Sequence, residues 1–226
     1  MSQCIYHDQM VTVRRALHQF PEEGWTEFCT TAFIATNLRE LGLEVLLGEK
    51  VVSRDNCLGR DPDLVAQAIE TARQNGVSES LLSEMQELPG CCAILDTGRP
   101  GPTVALRFDI DCNNVQESQD PNHRPTAQGW ASKRPGLMHA CGHDSHISLG
   151  LAVARWAYEH KDELNGKLKI VFQPAEEGVR GAAGVAASGI VDDCQYFLSS
   201  HIAMMAKSGE IVTGTVNGKV KGGLTV

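Results

Sequence analysis

Three imidazoles, a thiol and a carboxylate are concentrated in one short segment of the chain, residues 139–146, with the sequence HACGHDSH. Thiolates and imidazoles are ligands that zinc and similar divalent ions prefer, and a neighbouring carboxylate can orient a ligating imidazole. Gly142 has no side chain, so the backbone could turn tightly around an ion between Cys141 and His143. The segment therefore predicts a metal site, against the alternative that its histidines are ordinary polar surface residues.

A pair of glutamates forms a second candidate group. Glu176 and Glu177 lie in the sequence FQPAEEG, at the end of an apolar run that predicts a buried strand. Because ligands of α/β sheets bind outside the carboxyl ends of strands, these carboxylates are well placed for catalysis, although such a pair alone is typical of solvated surface. Adjacent residues of an extended segment point in opposite directions. We therefore expect one glutamate to bind metal and the other to transfer protons.

Polar residues also follow two other predicted strands. His201 follows the strand predicted over 196–200 and could add an imidazole to the same site, although a lone histidine there is more often structural. Asp109 and Asp111 follow the strand predicted over 103–108, and their spacing lets both point to one face. We expect this pair either to support the site or to cap the next turn.

The elements that must position these residues follow from hydrophobic spacing. Helical periodicity predicts two helices that end before Pro21 and at Gly42, and two more over 147–158 and 181–188. Short apolar runs predict strands at 43–47, 91–95, 103–108, 167–173, 196–200 and 210–216. Strands that alternate with helices favour an α/β layer fold with both faces of the sheet covered.

Three segments connect or interrupt these elements. Residues 53–90 are polar and predict one or two surface helices that lie outside the core. Residues 97–102, TGRPGP, fit a turn between two strands. Residues 112–137 have little periodicity, and a loop of that length in a compact domain is usually functional or disordered.

The composition excludes several classes of protein. The chain has 226 residues, of which 42% are hydrophobic and 21% charged, as in ordinary globular domains. Its net charge of -8 argues against nucleic-acid binding, which needs cations to neutralise phosphate. Because no apolar stretch could span a bilayer and residues 1–9 lack a signal-peptide core, we expect a cytoplasmic protein with reduced cysteines.

Five segments, in this order along the chain, resemble the aminoacylase and amidohydrolase branch of the M20 metallopeptidase family: LHQFPEEGWTEF, ALRFDID, MHACGHDSH, IVFQPAEEGVRGA and SSHIA. The stretches LDTGRPGP, QDPNHRP and GIVDDCQYF, with the insertion at 53–90, resemble the subfamily that cleaves p-aminobenzoyl-glutamate, a folate breakdown product. The resemblance implies a phosphorylase/hydrolase-like α/β fold, in which a three-layer catalytic domain has a central mixed sheet. It implies a metal-dependent amidohydrolase of N-acyl amino acids, with p-aminobenzoyl-glutamate as the expected substrate.

The resemblance also implies roles for individual residues. Four are implied ligands of two divalent ions, zinc or manganese: Cys141, His143, Glu177 and His201. Glu176 is the implied general base, and Arg180 is a weaker candidate for pairing with a substrate carboxylate. Three carboxylates are implied supporting residues: Asp144, Asp109 and Asp111. The implied partners are a small N-acyl amino acid and an identical or related subunit, with no nucleic acid and no membrane.

The chain also departs from the family pattern. Members of this branch carry a last metal-binding histidine after a smaller domain that mediates dimerisation and covers the substrate. We expect residues 1–218 to be the N-terminal part of the catalytic domain. Residues 219–226 are then the start of the second domain, and we expect the rest of that domain to be missing. The alternatives are an inactive metal-binding fragment and a deacylase of another N-acyl amino acid or peptide conjugate. A zinc deaminase is disfavoured because its H-x-E and P-C-x-x-C pattern is absent. An exposed apolar patch or strand edge is expected near the C-terminus.

Overall fold

The computed structural model describes residues 5–202, 209, 214–216, 219–221 and 223–224. Its helices are α1 (His7–His18), α2 (Phe28–Glu40), α3 (Pro62–Gln74), α4 (Glu79–Met85), α5 (Arg124–Ala127), α6 (His143–Glu159) and α7 (Ala182–Ala187). Its strands are β1 (Glu44–Leu47), β2 (Cys91–Asp96), β3 (Thr103–Asp109), β4 (Lys167–Gln173), β5 (Tyr196–Ser200), β6 (Gly214–Val216), β7 (Lys219–Lys221) and β8 (Gly223–Leu224). The predicted strand over 210–216 is observed at 214–216, and 210–213 lie outside the described residues.

Six strands form one mixed sheet in the order β1-β2-β4-β3-β5-β8, and β6 pairs with β7 in a separate ribbon. Strands β4, β3, β5 and β8 are parallel to one another, whereas β1 and β2 pair antiparallel with their neighbours. The register pairs Asp109 with Gln173 and Arg107 with Ser199. The carboxyl ends of β3, β4 and β5 therefore lie side by side, where a ligand site is expected.

Protein layers cover both faces of this sheet. On one face α6 packs closely, because Gly150 lies where a Cβ atom would come within 2.7 Å of the Phe172 ring. On the other face Lys169 donates a hydrogen bond of 2.7 Å to the carbonyl oxygen of Ile190, in the segment that follows α7. Lys169 and Phe172 are three positions apart in β4, so they project from opposite faces. The predicted three-layer α/β class with a central mixed sheet is confirmed.

The prediction that residues 53–90 lie outside the core is wrong. The segment contains α3 and α4, as expected, but Val65, Met85 and Leu88 are almost completely buried. Each helix carries one apolar stripe in an otherwise polar sequence, and that stripe packs against the core. The polar average composition of residues 53–90 conceals the one buried face of each helix.

The turn at residues 97–102 joins strands that are not neighbours, since β4 lies between β2 and β3. The turn crosses the start of β4, where Gly166 donates a hydrogen bond of 3.0 Å to the carbonyl oxygen of Arg99. A Cβ atom on Gly101 would lie 2.6 Å from the backbone nitrogen of Gly166, so only glycine permits this crossing. Every helix in the described part of the chain is too short or too polar to span a lipid bilayer.

Candidate metal centre

The residues predicted to form a site come from four segments that meet at the carboxyl ends of the parallel strands. Asp109 ends β3, Glu176 and Glu177 follow β4, His201 follows β5, and His143 is the first residue of α6. The structure therefore brings together the predicted metal-binding segment at 139–146, the glutamate pair and His201, which are widely separated in the sequence.

The start of α6 depends on Gly142. Its φ of +83° is left-handed, a conformation that costs other residues about 1–2 kcal/mol. Its carbonyl oxygen accepts the first helical hydrogen bonds, from the amides of Ser145 at 2.9 Å and His146 at 3.3 Å. A Cβ atom at this position would lie 3.2 Å from the side chain of Ile202, beyond the end of β5. Gly142 thus starts the helix and lets the chain after β5 approach it.

His143 is completely buried and lies at the centre of the site. Its Nδ1 donates a hydrogen bond of 2.9 Å to the carbonyl oxygen of Asp111, which leaves Nε2 directed at carboxylates. Nε2 lies 3.8 Å from Asp109, 3.9 Å from Glu176 and 3.8 Å from Glu177. Burial opposes protonation of His143, but its contacts with Asp111 and Asp109 outweigh burial and raise the pKa to about 9. The surroundings therefore stabilise positive charge at Nε2.

The pKa values of the neighbouring groups respond to the same charges. Burial opposes ionisation of Asp109, but the hydrogen bond with His146 and nearby cationic groups hold its pKa below the usual range. Burial and the charge of Asp109 raise the pKa of Glu176. Burial and the carboxylate of Glu177 raise the pKa of the Cys141 thiol to about 12. Without a cation beside it, Cys141 is therefore a poor nucleophile.

The arrangement fits a divalent cation. Within the described part of the chain, His143 Nε2 and Glu177 Oε1 are buried atoms without a hydrogen-bond partner, although buried polar atoms are nearly always satisfied. Two groups of donor atoms, each within 4.8 Å of one another, share His143: Cys141, His143 and Glu177, and Asp109, His143, His146 and His201. Thiol, imidazole and carboxylate together are the donor set of zinc and similar ions.

Glu176 and Glu177 do not lie in an extended segment, so the expectation that they point in opposite directions is wrong. Ala175 and Val179 have positive φ angles of +49° and +60°, which fold the segment into a tight turn. Both carboxylates consequently approach the same atom, Nε2 of His143. The division of roles between the two glutamates stays a prediction.

Arg180 lies beside this turn, and its Nε donates a hydrogen bond of 2.9 Å to the carbonyl oxygen of Glu177. In this position it supports the backbone of a predicted metal ligand. Its contact with a substrate carboxylate stays a prediction.

Asp144 and His139 lie outside the two donor groups. The Asp144 carboxylate contacts His18 Nδ1 at 2.8 Å and accepts a hydrogen bond of 3.4 Å from Arg14. His18 Nε2 in turn contacts Glu117 at 3.1 Å, and the buried His139 ring lies 6.4 Å from that of His18. These residues connect α1, the long loop and the start of α6. Asp144 can therefore support the site through the helix position.

The family model for peptidase family M20/M25/M40 matches residues 105–221, slightly more than half of the chain. The chain belongs to this family. The match includes the ends of β3, β4 and β5 and the start of α6, so it covers every predicted metal ligand.

M20 relatives resemble the chain over most of its length. It is 50% identical over 211 residues to a homolog of a p-aminobenzoyl-glutamate hydrolase subunit from Haemophilus influenzae, covering 93% of the chain and 50% of that protein. An aminobenzoyl-glutamate utilization protein from Klebsiella pneumoniae has a similar structure, with a TM-score of 0.73 and 35% identity. The match covers 92% of this chain and 46% of that protein. A dinuclear metal-binding M20 peptidase from Bacillus subtilis is also similar, with a TM-score of 0.64 and 27% identity. That match covers 89% of this chain and 44% of the peptidase. The chain thus spans about half the length of the relatives it matches.

Sequence reasoning assigned no separate role to three buried residues, His146, Glu22 and Glu27. His146 follows His143 by three positions in α6, a spacing that places both on one helix face and could have identified it. Glu22 and Glu27 gave no such signal, because glutamates near a helix start are usually exposed. Both are buried: Glu22 accepts a hydrogen bond of 2.7 Å from the Thr30 amide in α2, and Glu27 accepts one of 2.7 Å from Ala175.

Proposed function

We propose that this chain is the metal-binding part of an amidohydrolase that cleaves the amide bond of an N-acyl amino acid. The observation that carries the proposal is the convergence of Asp109, Glu176 and Glu177 on the unpartnered, buried Nε2 of His143. Four residues would hold the ions: Cys141, His143, Glu177 and His201. The similarity to the dinuclear metal-binding M20 peptidase from Bacillus subtilis supports a two-ion site, and Cys141 favours zinc over manganese.

In this proposal each side chain has a task that its geometry allows. Divalent ions bound here would polarise the scissile carbonyl and lower the pKa of a water molecule. Glu176 is about one-third exposed and lies at the edge of the site, so its carboxylate can take a proton from water and deliver it to the leaving amine. Asp111 fixes the His143 tautomer through its carbonyl oxygen and holds the Glu177 amide through its carboxylate at 2.9 Å.

The proposed substrate is p-aminobenzoyl-glutamate, which appears in the names of the Haemophilus relative and, as aminobenzoyl-glutamate, of the Klebsiella structure. A second candidate is a deacylase of another N-acyl amino acid, since the described residues select no particular acyl group. The Haemophilus relative is named after one subunit of a hydrolase, which supports the proposal of a related partner chain. We also propose a cytoplasmic location and a catalytic-domain segment over 1–218 that leads into a second domain.

The test separates metal binding from turnover. Metal content would be measured on the 226-residue chain, and release of aminobenzoate on the same chain fused to the C-terminal half of the Haemophilus relative. We expect Glu176→Gln to retain metal but to lose about 100-fold or more of the release rate. Glu40→Gln, at the exposed end of α2, is the matched control.

Two results would count against the proposal. Undiminished release by the Glu176→Gln fusion would show that another group is the base. A chain that binds metal but releases no aminobenzoate, alone or fused, would favour the inactive metal-binding fragment. An assay with other N-acyl amino acids would then distinguish that fragment from a deacylase of different specificity.

A further inference from the structure

The His146 ring connects the end of β3 to the residue that follows the ligand candidate His201. Its Nδ1 is hydrogen bonded to the carboxylate of Asp109, and its Nε2 lies 2.9 Å from the backbone nitrogen of Ile202. The ring is almost completely buried. His146 therefore joins α6 to both strands that flank the site on this side.

These two contacts fix the tautomer of His146. The Ile202 amide can only donate, so Nε2 is the acceptor and Nδ1 carries the proton that Asp109 accepts. Both ring nitrogens are thus already engaged. Although His146 belongs to one of the donor groups, it could bind a metal ion only by giving up one of these bonds.

Asp109 is itself held in place by Arg107 of the same strand, which is hydrogen bonded to the neighbouring strand. Arg107 forms an ion pair of 2.9 Å with the Asp109 carboxylate, and its Nε donates a hydrogen bond of 2.9 Å to the side chain of Gln173 in β4. A continuous series of polar contacts therefore runs from β4 through β3 and α6 to Ile202. Because it is largely buried, each of its members has few alternative partners.

The series ends at Ile202, directly beside His201. Ile202 is restrained on two sides, by the His146 contact and by its side chain against Gly142. His201 precedes it and lies with Nε2 3.2 Å from the Sγ atom of Cys141. The rings of His146 and His201 are 4.6 Å apart and nearly perpendicular.

We infer that His146 is a positioning residue, which holds Ile202 so that His201 faces Cys141 and the two can bind one ion. The inference rests on the proposed function, because it assumes that Cys141 and His201 are ligands. The site requires His146 Nε2 as the acceptor for the Ile202 amide, and His146 does not coordinate the metal.

A matched pair of substitutions separates the two nitrogens. In His146→Asn the amide can replace the Nδ1 donor towards Asp109 but is too short to reach Ile202. In His146→Gln the carbonyl oxygen can replace the Nε2 acceptor towards Ile202. The 226-residue chain would be titrated with cobalt(II) against a chromophoric chelator, and the exchange rate of the Ile202 amide would be measured by NMR.

We expect His146→Gln to bind cobalt within about threefold of wild type, and His146→Asn to bind it about 10–100-fold more weakly, as when a residue that orients a ligand is lost. The Ile202 amide should stay protected in His146→Gln and exchange faster in His146→Asn. Circular dichroism would establish that both variants fold.

The outcomes distinguish this inference from the proposed function. A folded wild-type chain that binds no cobalt would contradict the proposed function itself. If wild type binds cobalt but the two variants lose affinity equally, His146 acts as a ligand and the positioning role is wrong. If neither variant loses affinity, or if Ile202 exchange is unchanged in His146→Asn, the contact with Ile202 does not position His201.

Discussion

At the scale of single residues, the site is a cluster of like charges around one imidazole. Asp109, Glu176 and Glu177 all lie within 4 Å of His143 Nε2, and Asp111 lies 3.3 Å from Nδ1. Carboxylates so close together repel one another, and the single positive charge of a protonated His143 offsets only part of that repulsion. A substitution that removes one of these carboxylates should therefore weaken cation binding and at the same time stabilise the metal-free chain.

Glu177→Gln tests this opposition. The substitution keeps the shape of the side chain but removes one negative charge, so the metal-free chain should become more stable by about 1 kcal/mol, which is about 2–4 °C in Tm. Its zinc affinity should fall at the same time, because a ligand is lost. Thermal unfolding with and without a chelator would measure the first effect, and chelator competition the second.

Glu40→Gln, which is remote and exposed, should change neither quantity. A Glu177→Gln variant that is less stable than wild type after chelation would show that the carboxylate makes a stabilising contact even without metal.

At this scale the sequence predicted the residues whose types are unusual together. Cys141 and His143 were singled out because imidazoles and a thiol rarely occur at such density, and the pair Glu176 and Glu177 because a predicted strand ends just before it. Glu27 could not be found, because its importance comes from burial beside Asp111, which raises its pKa well above the ordinary value. Asp111 and Ala175, which lie beside Glu27 in the fold, are more than eighty positions away in the sequence.

At the scale of elements, the position of α6 controls the site, because His143 and His146 are in its first turn. The helix lies close to the sheet at Gly150, where a Cβ atom would come within 2.7 Å of Phe172 and 2.9 Å of Phe108. Gly150→Ala should therefore force α6 away from the sheet.

The net effect of Gly150→Ala has two opposing parts. Alanine favours the helix by about 1 kcal/mol, whereas overpacking costs about 1–3 kcal/mol. We expect crowding to prevail, with lower stability in chemical denaturation and weaker cobalt binding. A companion variant, Gly150→Ala with Phe172→Leu, should recover both if the ring is the obstacle. Failure of the companion to recover either would mean that the crowding lies elsewhere.

A buried histidine paired with two carboxylates joins α1 and the loop at 112–137 to α6. His18 is buried between the carboxylates of Asp144 and Glu117. Burial opposes its protonation, but the hydrogen bonds and charges of these two carboxylates outweigh burial and raise its pKa above 6.5. Other titratable or charged groups near this cluster are Arg14, His123 and His139.

Because the pKa of His18 is higher in the folded than in the unfolded chain, its contribution to stability is complete below about pH 6.5 and is lost as pH rises through the folded value. The difference in unfolding free energy between wild type and His18→Gln should therefore be largest near about pH 6 and smaller near about pH 9. Urea titrations at both values would measure it, with exposed His7→Gln as control. A difference that grows with pH would contradict the assignment.

The bounds of β4 and β5 agree with the sequence prediction, since an apolar run between polar residues defines a strand locally. The order of the strands could not be predicted in this way. Placement of β4 between β2 and β3 depends on Gly101 and Gly166 passing each other at backbone distance, and nothing in the local pattern specifies that contact.

At the scale of the whole molecule, β5 differs from the other strands of the main sheet. Tyr196, Phe197 and Leu198 are 60%, 52% and 50% exposed, whereas β4 is almost entirely buried. Among the described residues, β8 pairs only with Ser199 and Ser200, so the outer edge beside the three apolar residues is open. The described residues therefore contain the exposed apolar patch or strand edge that was predicted near the C-terminus.

An open strand edge with exposed apolar side chains on both faces is a site for association with another chain. We expect the 226-residue chain to self-associate through β5, so its weight-average sedimentation coefficient should rise with concentration. Phe197→Lys should reduce this rise, because a charge on an edge strand must be desolvated when a second strand pairs with it. Leu58→Lys is the matched control, since Leu58 is 53% exposed and lies outside the sheet. If Leu58→Lys reduces association as much as Phe197→Lys, general surface hydrophobicity causes the association and the edge of β5 has no special part in it.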